Sequence, residues 1–116
     1  MKPTPDFPVG LVWAGIVPVR QSYEWEPSGL VPGLADEAIL GVEAPLWSET
    51  VRAASDIDQL IFPRAAAQAE IAWSQPAGTP ERSWESFAER VGRLAPLWKA
   101  AGWGWHAAPE IPWSTS

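Results

Sequence analysis

The sequence contains no cysteine, which excludes disulfide bonds and thiolate metal sites. It has a single histidine, His106, which cannot make a histidine cluster. No metal and no cofactor is expected on these grounds. Basic residues are scarce: eight Lys and Arg stand against fourteen Asp and Glu, a formal net charge of −6. Neutralising phosphates requires a basic face, so nucleic acid is a poor partner, whereas weakly charged ligands such as sugars are compatible. No apolar run reaches the roughly 20 residues of a membrane-spanning helix. The N-terminus shows no basic region followed by an apolar run, so no signal peptide is visible and localisation stays open.

What is present is globular in composition. Hydrophobic residues make up 47% of the 116 and charged residues only 19%, which argues against disorder. The length suits one ordinary domain. Nine tryptophans in so short a chain are its oddest compositional feature. Thirteen prolines and nine glycines imply many turns and few long elements.

Residues 1–10 (MKPTPDFPVG) are loop material, followed by a short apolar run from Leu11 to Val17. Residues 18–38 are broken by proline and glycine and read as a long loop with one helical turn, with Tyr23 and Trp25 embedded. Loops of that length in compact domains usually carry function. Residues 39–47 read as a strand. Side chains alternate faces with period two, so Val42, Ala44 and Leu46 share one apolar face. Glu43, Pro45, Trp47 and Glu49 share the other, and Pro45 interrupts any ladder there.

Ser55 is placed as an N-cap of a first helical stretch, with Asp56 and Asp58 in its first turn. Pro63 then opens an alanine-rich helix from Arg64 to about Trp73. Residues 83–101 form the clearest helix. Phe87, Val91, Leu94, Trp98 and Ala101 make one stripe, Pro96 bends it or ends its regular part, and Gly102 stands where a helix ends. The tail from Trp103 to Trp113 is proline-broken and aromatic.

Two motifs in this pattern are specific. "ILGVEAPLWSETV" carries Gly41, Ala44, Trp47, Ser48 and Glu49, a Gly-x-x-Ala-x-x-Trp-Ser/Thr-Glu strand. "FPRAAAQAEIAWS" carries Pro63, Arg64, Ala69, Glu70 and Trp73, a Pro-Arg helix ending in Ala-Glu-x-x-Trp. Together they resemble the last barrel strand and following helix of family 20 glycoside hydrolases, the β-N-acetylhexosaminidases, and actinobacterial members most. The likeness extends through "GLVWAG", "SYEWEPSG", "LWKAAG" and "PEIPW", nearly the whole chain.

The resemblance implies an α/β fold: the C-terminal strand–helix portion of a (β/α)8 barrel plus a terminal helix, an incomplete barrel. Its parts are a loop-rich segment at 1–38, the last barrel strand at 39–49, a helical segment at 55–73, a terminal helix at 83–101 and a tail at 102–116. It also implies roles for two side chains. Trp47 forms one wall of the pocket for a terminal N-acetylhexosamine, and Glu49 accepts hydrogen bonds from sugar hydroxyls. A complete barrel takes about 250 residues, and an isolated strand leaves backbone groups unpaired. The chain alone is therefore expected to fold poorly, or to need the remainder of the barrel in cis or trans.

In the resembled family the reaction is substrate-assisted, outside the two-carboxylate scheme. The 2-acetamido oxygen attacks the anomeric carbon, a Glu protonates the leaving group, and an adjacent Asp and a Tyr orient the acetamide. The Asp-Glu pair belongs to a His-x-Gly-Gly-Asp-Glu motif that this chain lacks, so no catalytic residue is assigned here. Asp36-Glu37 has neither the histidine nor the glycines before it and reads as a solvated loop pair. The family's Tyr-x-Asp would fall just upstream of Met1, and Pro3 stands where relatives often have Tyr. Family members are often secreted or periplasmic.

Several residues keep two readings. Trp47 is a pocket wall or simple core; Glu49 is a ligand contact or a solvated strand end. Trp13 and Trp25 line an outer subsite or pack the long loop. Glu43 faces inward and would be costly to bury unpaired, with Arg64 as its structural partner. Trp73, Trp84 and Trp98 are assigned to packing, and Trp103, Trp105 and Trp113 to anchoring the tail. His106 is exposed or structural. The function expected is part of a hydrolase acting on N-acetylhexosamine-terminated oligosaccharides. The alternatives are a non-catalytic sugar-binding module and a remnant that completes a barrel.

Overall fold

The structure is a computed structural model and describes residues 1–13 and 15–116. Among the described residues five α-helices follow in order: α1 (Val19–Tyr23), α2 (Ala54–Ile61), α3 (Arg64–Trp73), α4 (Trp84–Gly92) and α5 (Ala95–Ala100). A 3₁₀ turn, Asp36–Ala38, lies between α1 and α2. Among the described residues no helix is long and apolar enough to cross a membrane.

No β-strand is formed among the described residues. Residues 39–49, expected as a strand, begin extended, with φ −86° and ψ 109° at Ile39. Yet residues 40–47 make no backbone hydrogen bond among the described residues. A strand needs a second strand to accept and donate its ladder bonds, and this chain brings none alongside. Leu40 is fully solvent-exposed in consequence. The radius of gyration is 15.0 Å, above the roughly 13 Å of a compact chain this long.

The helices depart from the sequence reading where proline and capping intervene. The first begins at Ala54 rather than after Ser55. Asp56 supplies its cap, because the carboxylate accepts the N–H groups of Arg52 at 2.9 Å and Ala53 at 3.1 Å. The single helix expected over 83–101 is two. Pro96 has no N–H for the Gly92 carbonyl, and the chain breaks at Arg93–Leu94. That freed carbonyl accepts the Ser114 N–H at 3.1 Å instead, which docks the tail into the break. Gly102 ends α5 at φ +77°, with Trp103 N–H reaching the Trp98 carbonyl at 2.9 Å and its own N–H reaching Lys99 at 3.1 Å.

The core sits on the helical side of the molecule. Val19 and Tyr23 of α1, Ala67 of α3, Trp84, Phe87, Ala88 and Val91 of α4, Trp98 of α5, and Ala108 and Ile111 of the tail are buried together. Of the expected stripe, only Ala101 is left exposed. Tyr23 stacks on Phe87 with centroids 4.5 Å apart. Trp105 and Trp113 close around Trp98 at 5.9 and 6.2 Å, and Trp103 lies parallel to Phe62 at 5.3 Å. These three do anchor the tail, although Trp103 stays half exposed. Trp73 does not pack: it is 91% exposed at the end of α3.

Polar clamps join the helices. The Glu70 carboxylate accepts both arms of Arg90 at 2.7 Å, and the Tyr23 hydroxyl donates to it at 3.0 Å. Burial, with the Glu70 carboxylate beside it, pushes the Tyr23 phenol up to about 12, so it remains a donor. The Gln68 amide donates to the Ser22 carbonyl at 2.7 Å, which ties α3 to α1. The loop after α1 is held by Arg82, whose side chain is buried. Its guanidinium pairs with Glu26 at 2.8 Å and donates to the Trp25 carbonyl. Glu26 also accepts the backbone N–H of Ala77 at 2.6 Å and of Ser28 at 3.2 Å.

Burial pushes the Glu26 carboxyl up, but those N–H donors and Arg82 outweigh it and hold it below the usual carboxylate range. A depressed carboxylate contributes stability above its unfolded pKa and loses it as pH falls through the folded value. The urea midpoint of the folded protein is therefore expected to drop between about pH 5 and pH 3. Arg82→Met should lower stability at pH 7 by about 3 kcal/mol and flatten part of that acid limb. An unchanged midpoint at both pH values would remove Arg82 from this role.

Candidate functional site

One cleft of about 730 Å³ opens between the N-terminal loop, the segment 43–50 and the first turns of α3. Trp13, Glu43, Trp47, Glu49 and Arg64 all border it. These five come from three segments that are distant in the chain, whereas Trp25 does not border this cleft. The strand parity holds only in part. Ala44 and Leu46 border the cleft too, since the segment stands one layer thick without flanking strands.

Trp47 is 75% exposed and Trp13 is 82% exposed, so neither belongs to the core. Two indoles held in solvent beside a carboxylate offer an apolar plane and a hydrogen-bond acceptor together. Glu49 is exposed at the turn that ends this segment. The following residue, Thr50, accepts the Gly10 N–H on its hydroxyl oxygen at 2.8 Å and so joins the N-terminal loop to this turn. Sequence reasoning did not select Thr50; no local pattern marks a contact forty residues apart.

The expected Glu43–Arg64 pair is not formed among the described residues. Arg64 is half-buried and donates from Nη2 to the Met1 carbonyl at 2.9 Å. Burial lowers its pKa. Glu43 is exposed, because the segment that carries it has nothing packed over it, and it needs no counter-charge in that setting.

Trp25 lies apart from Trp13. It borders a second hollow of about 270 Å³ with Leu30, Val31 and Leu34 of the long loop, which touches the large cleft only through Glu43. Asp36 and Glu37 are exposed on the 3₁₀ turn and do not reach the cleft. His106 is half-buried in the tail, edge-on to Phe7 at 5.0 Å. Desolvation, with Arg64 nearby, holds its pKa below the ordinary value. No group of three or more metal-ligating side chains is assembled among the described residues.

Known proteins share this sequence and shape. Residues 4–76 match the family model described as Glycosyl hydrolase family 20, catalytic domain. A beta-N-acetylhexosaminidase of Cellulomonas fimi is 43% identical over 105 residues, covering 90% of this chain and 21% of that protein. The solved GH20 beta-N-acetylhexosaminidase of Streptomyces coelicolor A3(2) superposes with a TM-score of 0.89 at 42% identity. It covers 98% of this chain and 22% of its own. A mutant Streptomyces plicatus beta-hexosaminidase in complex with product (GlcNAc) gives the same TM-score, 0.89, at 42% identity, over 98% of this chain and 22% of that one.

These are all sugar-cleaving hydrolases, and the class is that of glycoside hydrolases. Within it, the chain belongs to glycosyl hydrolase family 20. It spans about a fifth of the length of the relatives it matches. The Streptomyces likeness runs past residue 76, so the aromatic tail and helices α4 and α5 are part of the shared shape.

Proposed function

We propose that this chain supplies part of the sugar pocket of a β-N-acetylhexosaminidase that hydrolyses terminal non-reducing GlcNAc or GalNAc by substrate-assisted, retaining catalysis. The observation that carries the reading is the meeting of Trp47, Glu49 and Trp13 on one cleft. A pyranose has an apolar face of C–H bonds, which the Trp47 plane covers, and hydroxyl edges, which the Glu49 carboxylate accepts. A hydrogen bond to a charged group contributes about 1.5–3 kcal/mol. Arg64 has a structural role behind this shelf, where it holds the Met1 carbonyl.

The acid that protonates the leaving group is not among these residues. The chain is read as the C-terminal part of a catalytic domain, with 39–49 as its last barrel strand, 55–73 as the helical segment behind it and 83–116 as a terminal helix pair and tail. The unpaired backbone of residues 40–47 and the exposed Leu40 and Trp73 favour the remainder of the barrel as the macromolecular partner, in cis or in trans. A free-standing sugar-binding module is the rival reading.

The test is hydrolysis of an aryl β-N-acetylglucosaminide. The chain by itself is expected to give no turnover, and the chain joined to the remainder of a family 20 barrel is expected to give it. Turnover by the chain alone would sink the proposal. GlcNAc binding to the chain alone, with no activity when the barrel is completed, would favour the module.

A further inference from the structure

We propose that Thr50 is a positioning residue: its hydroxyl holds the Trp13 loop against the Trp47–Glu49 shelf and thereby sets how the site takes the sugar beyond the terminal one. The inference rests on the sugar-cleft reading above and adds to it a bordering residue, Thr50, to which that reading gives no contact with the terminal sugar.

The N-terminal loop is closed at its neck, where Val17 N–H donates to the Lys2 carbonyl at 2.9 Å. Inside it, Gly10 takes φ +94°, a conformation that side chains disfavour. A Cβ there would also lie 3.3 Å from the Lys2 nitrogen and the Met1 carbonyl carbon. Gly10 is thus folded back on the start of the loop with its N–H turned to Thr50 Oγ1, 2.8 Å away in a partly buried setting. A second turn follows, in which Gly15, at φ +86°, donates to the Val12 carbonyl at 2.8 Å. Trp13 stands in that turn, with its indole in solvent on the edge of the cleft.

The consequence is mechanical. Trp47 and Glu49 sit on the segment 43–50, Trp13 on the loop, and Thr50 is the residue after Glu49. One hydrogen bond therefore registers the two walls against each other. Trp47 and Glu49 serve the terminal sugar on this reading. An indole carried on the separate loop wall covers the next ring along the chain. Without the Thr50 hydroxyl the loop keeps its closed neck but loses its tie to the shelf.

In a complete catalytic domain containing this chain, Thr50→Val keeps the shape and removes the acceptor. Its kcat/KM for a β-linked N-acetylglucosamine disaccharide, divided by that for an aryl β-N-acetylglucosaminide, is expected to fall about tenfold. The fall should lie mainly in KM. Thr50→Ser, which restores the acceptor, should recover the ratio. Thr50→Val combined with Trp13→Ala should show no lower ratio than Trp13→Ala alone, because both act on the same wall.

An unchanged ratio in Thr50→Val, or equal losses on both substrates with a lowered melting temperature, overturns the proposal. If the valine variant does not fold, Thr50→Ala with the serine rescue decides in its place. Glu49→Gln is the separate control for the underlying reading: undiminished GlcNAc affinity in that variant would overturn the cleft itself rather than the role of Thr50.

Discussion

Glu49→Gln in a complete catalytic domain is expected to lower kcat/KM by about 100-fold, and Trp47→Ala by a similar factor. On the proposed reading the carboxylate accepts hydrogen bonds from sugar hydroxyls, whereas the amide turns one acceptor position into a donor. Losing about 2.7 kcal/mol of charge-assisted hydrogen bonding corresponds to two orders of magnitude in rate constant. For Trp47, covering about 100 Å² of apolar sugar face at 25 cal/mol per Å² supplies about 2.5 kcal/mol, which alanine forfeits.

Within this chain neither side chain belongs to the core, since both stand in solvent. The check is steady-state kinetics beside thermal melts. Reduced kcat/KM with unchanged melting temperatures supports a ligand-facing shelf, and near-normal kinetics in both variants would end the assignment.

The second large effect is on stability. Gly92→Ala is expected to release the tail and cost several kcal/mol, on the order of the 3–5 kcal/mol seen for severe core defects. Gly92 is buried at the end of α4, and its missing side chain is what lets the tail approach. An added Cβ would press into the Pro112 carbonyl oxygen and lie 3.0 Å from its carbon, backbone atoms that cannot rotate aside. The same glycine's carbonyl holds the Ser114 N–H. Moving the tail would loosen Ile111 from the core and Trp113 from Trp98. A lowered melting temperature with a shift in tryptophan fluorescence is the expected readout; wild-type values for both would show that the tail can shift at no cost.

Much of this was legible from residue order. The heptad-like stripe of Phe87, Val91, Leu94 and Trp98 marks a buried face because helical periodicity is local. The alanine-rich helix Arg64–Trp73 has the bounds its proline and composition suggest. The Trp47–Ser48–Glu49 motif, joined to the Pro63–Arg64 helix, was enough to indicate the family. The strand was not realised, since alternation predicts a tendency to pair but cannot supply a partner. Pro96 foreshadowed a bend or the end of the regular helix, and the break falls at Arg93–Leu94. What made it a full interruption was Ser114 arriving to take the stranded carbonyl, an event twenty-two residues away in sequence.

Trp73 illustrates the limit from the other side. Its composition and helical position suggest packing, yet it is exposed, because what would cover it is not in these residues. Arg82 shows the reverse: an unremarked arginine in a proline-rich loop becomes the buried clamp of Trp25 and Glu26. Nothing local distinguishes it from Arg93, whose side chain is solvent-exposed.

By itself, then, the sequence determined the absence of thiol chemistry, the helical faces, the turn points and the family, for these depend on residue types and short spacings. Only the tertiary structure decided that Trp13, Trp47 and Glu49 share a cleft and that Thr50 ties its walls together. It also decided that Glu43 and Arg64 do not pair and that Gly92 admits the tail. Those outcomes depend on distances between segments tens of residues apart, which no local pattern encodes and which packing alone sets.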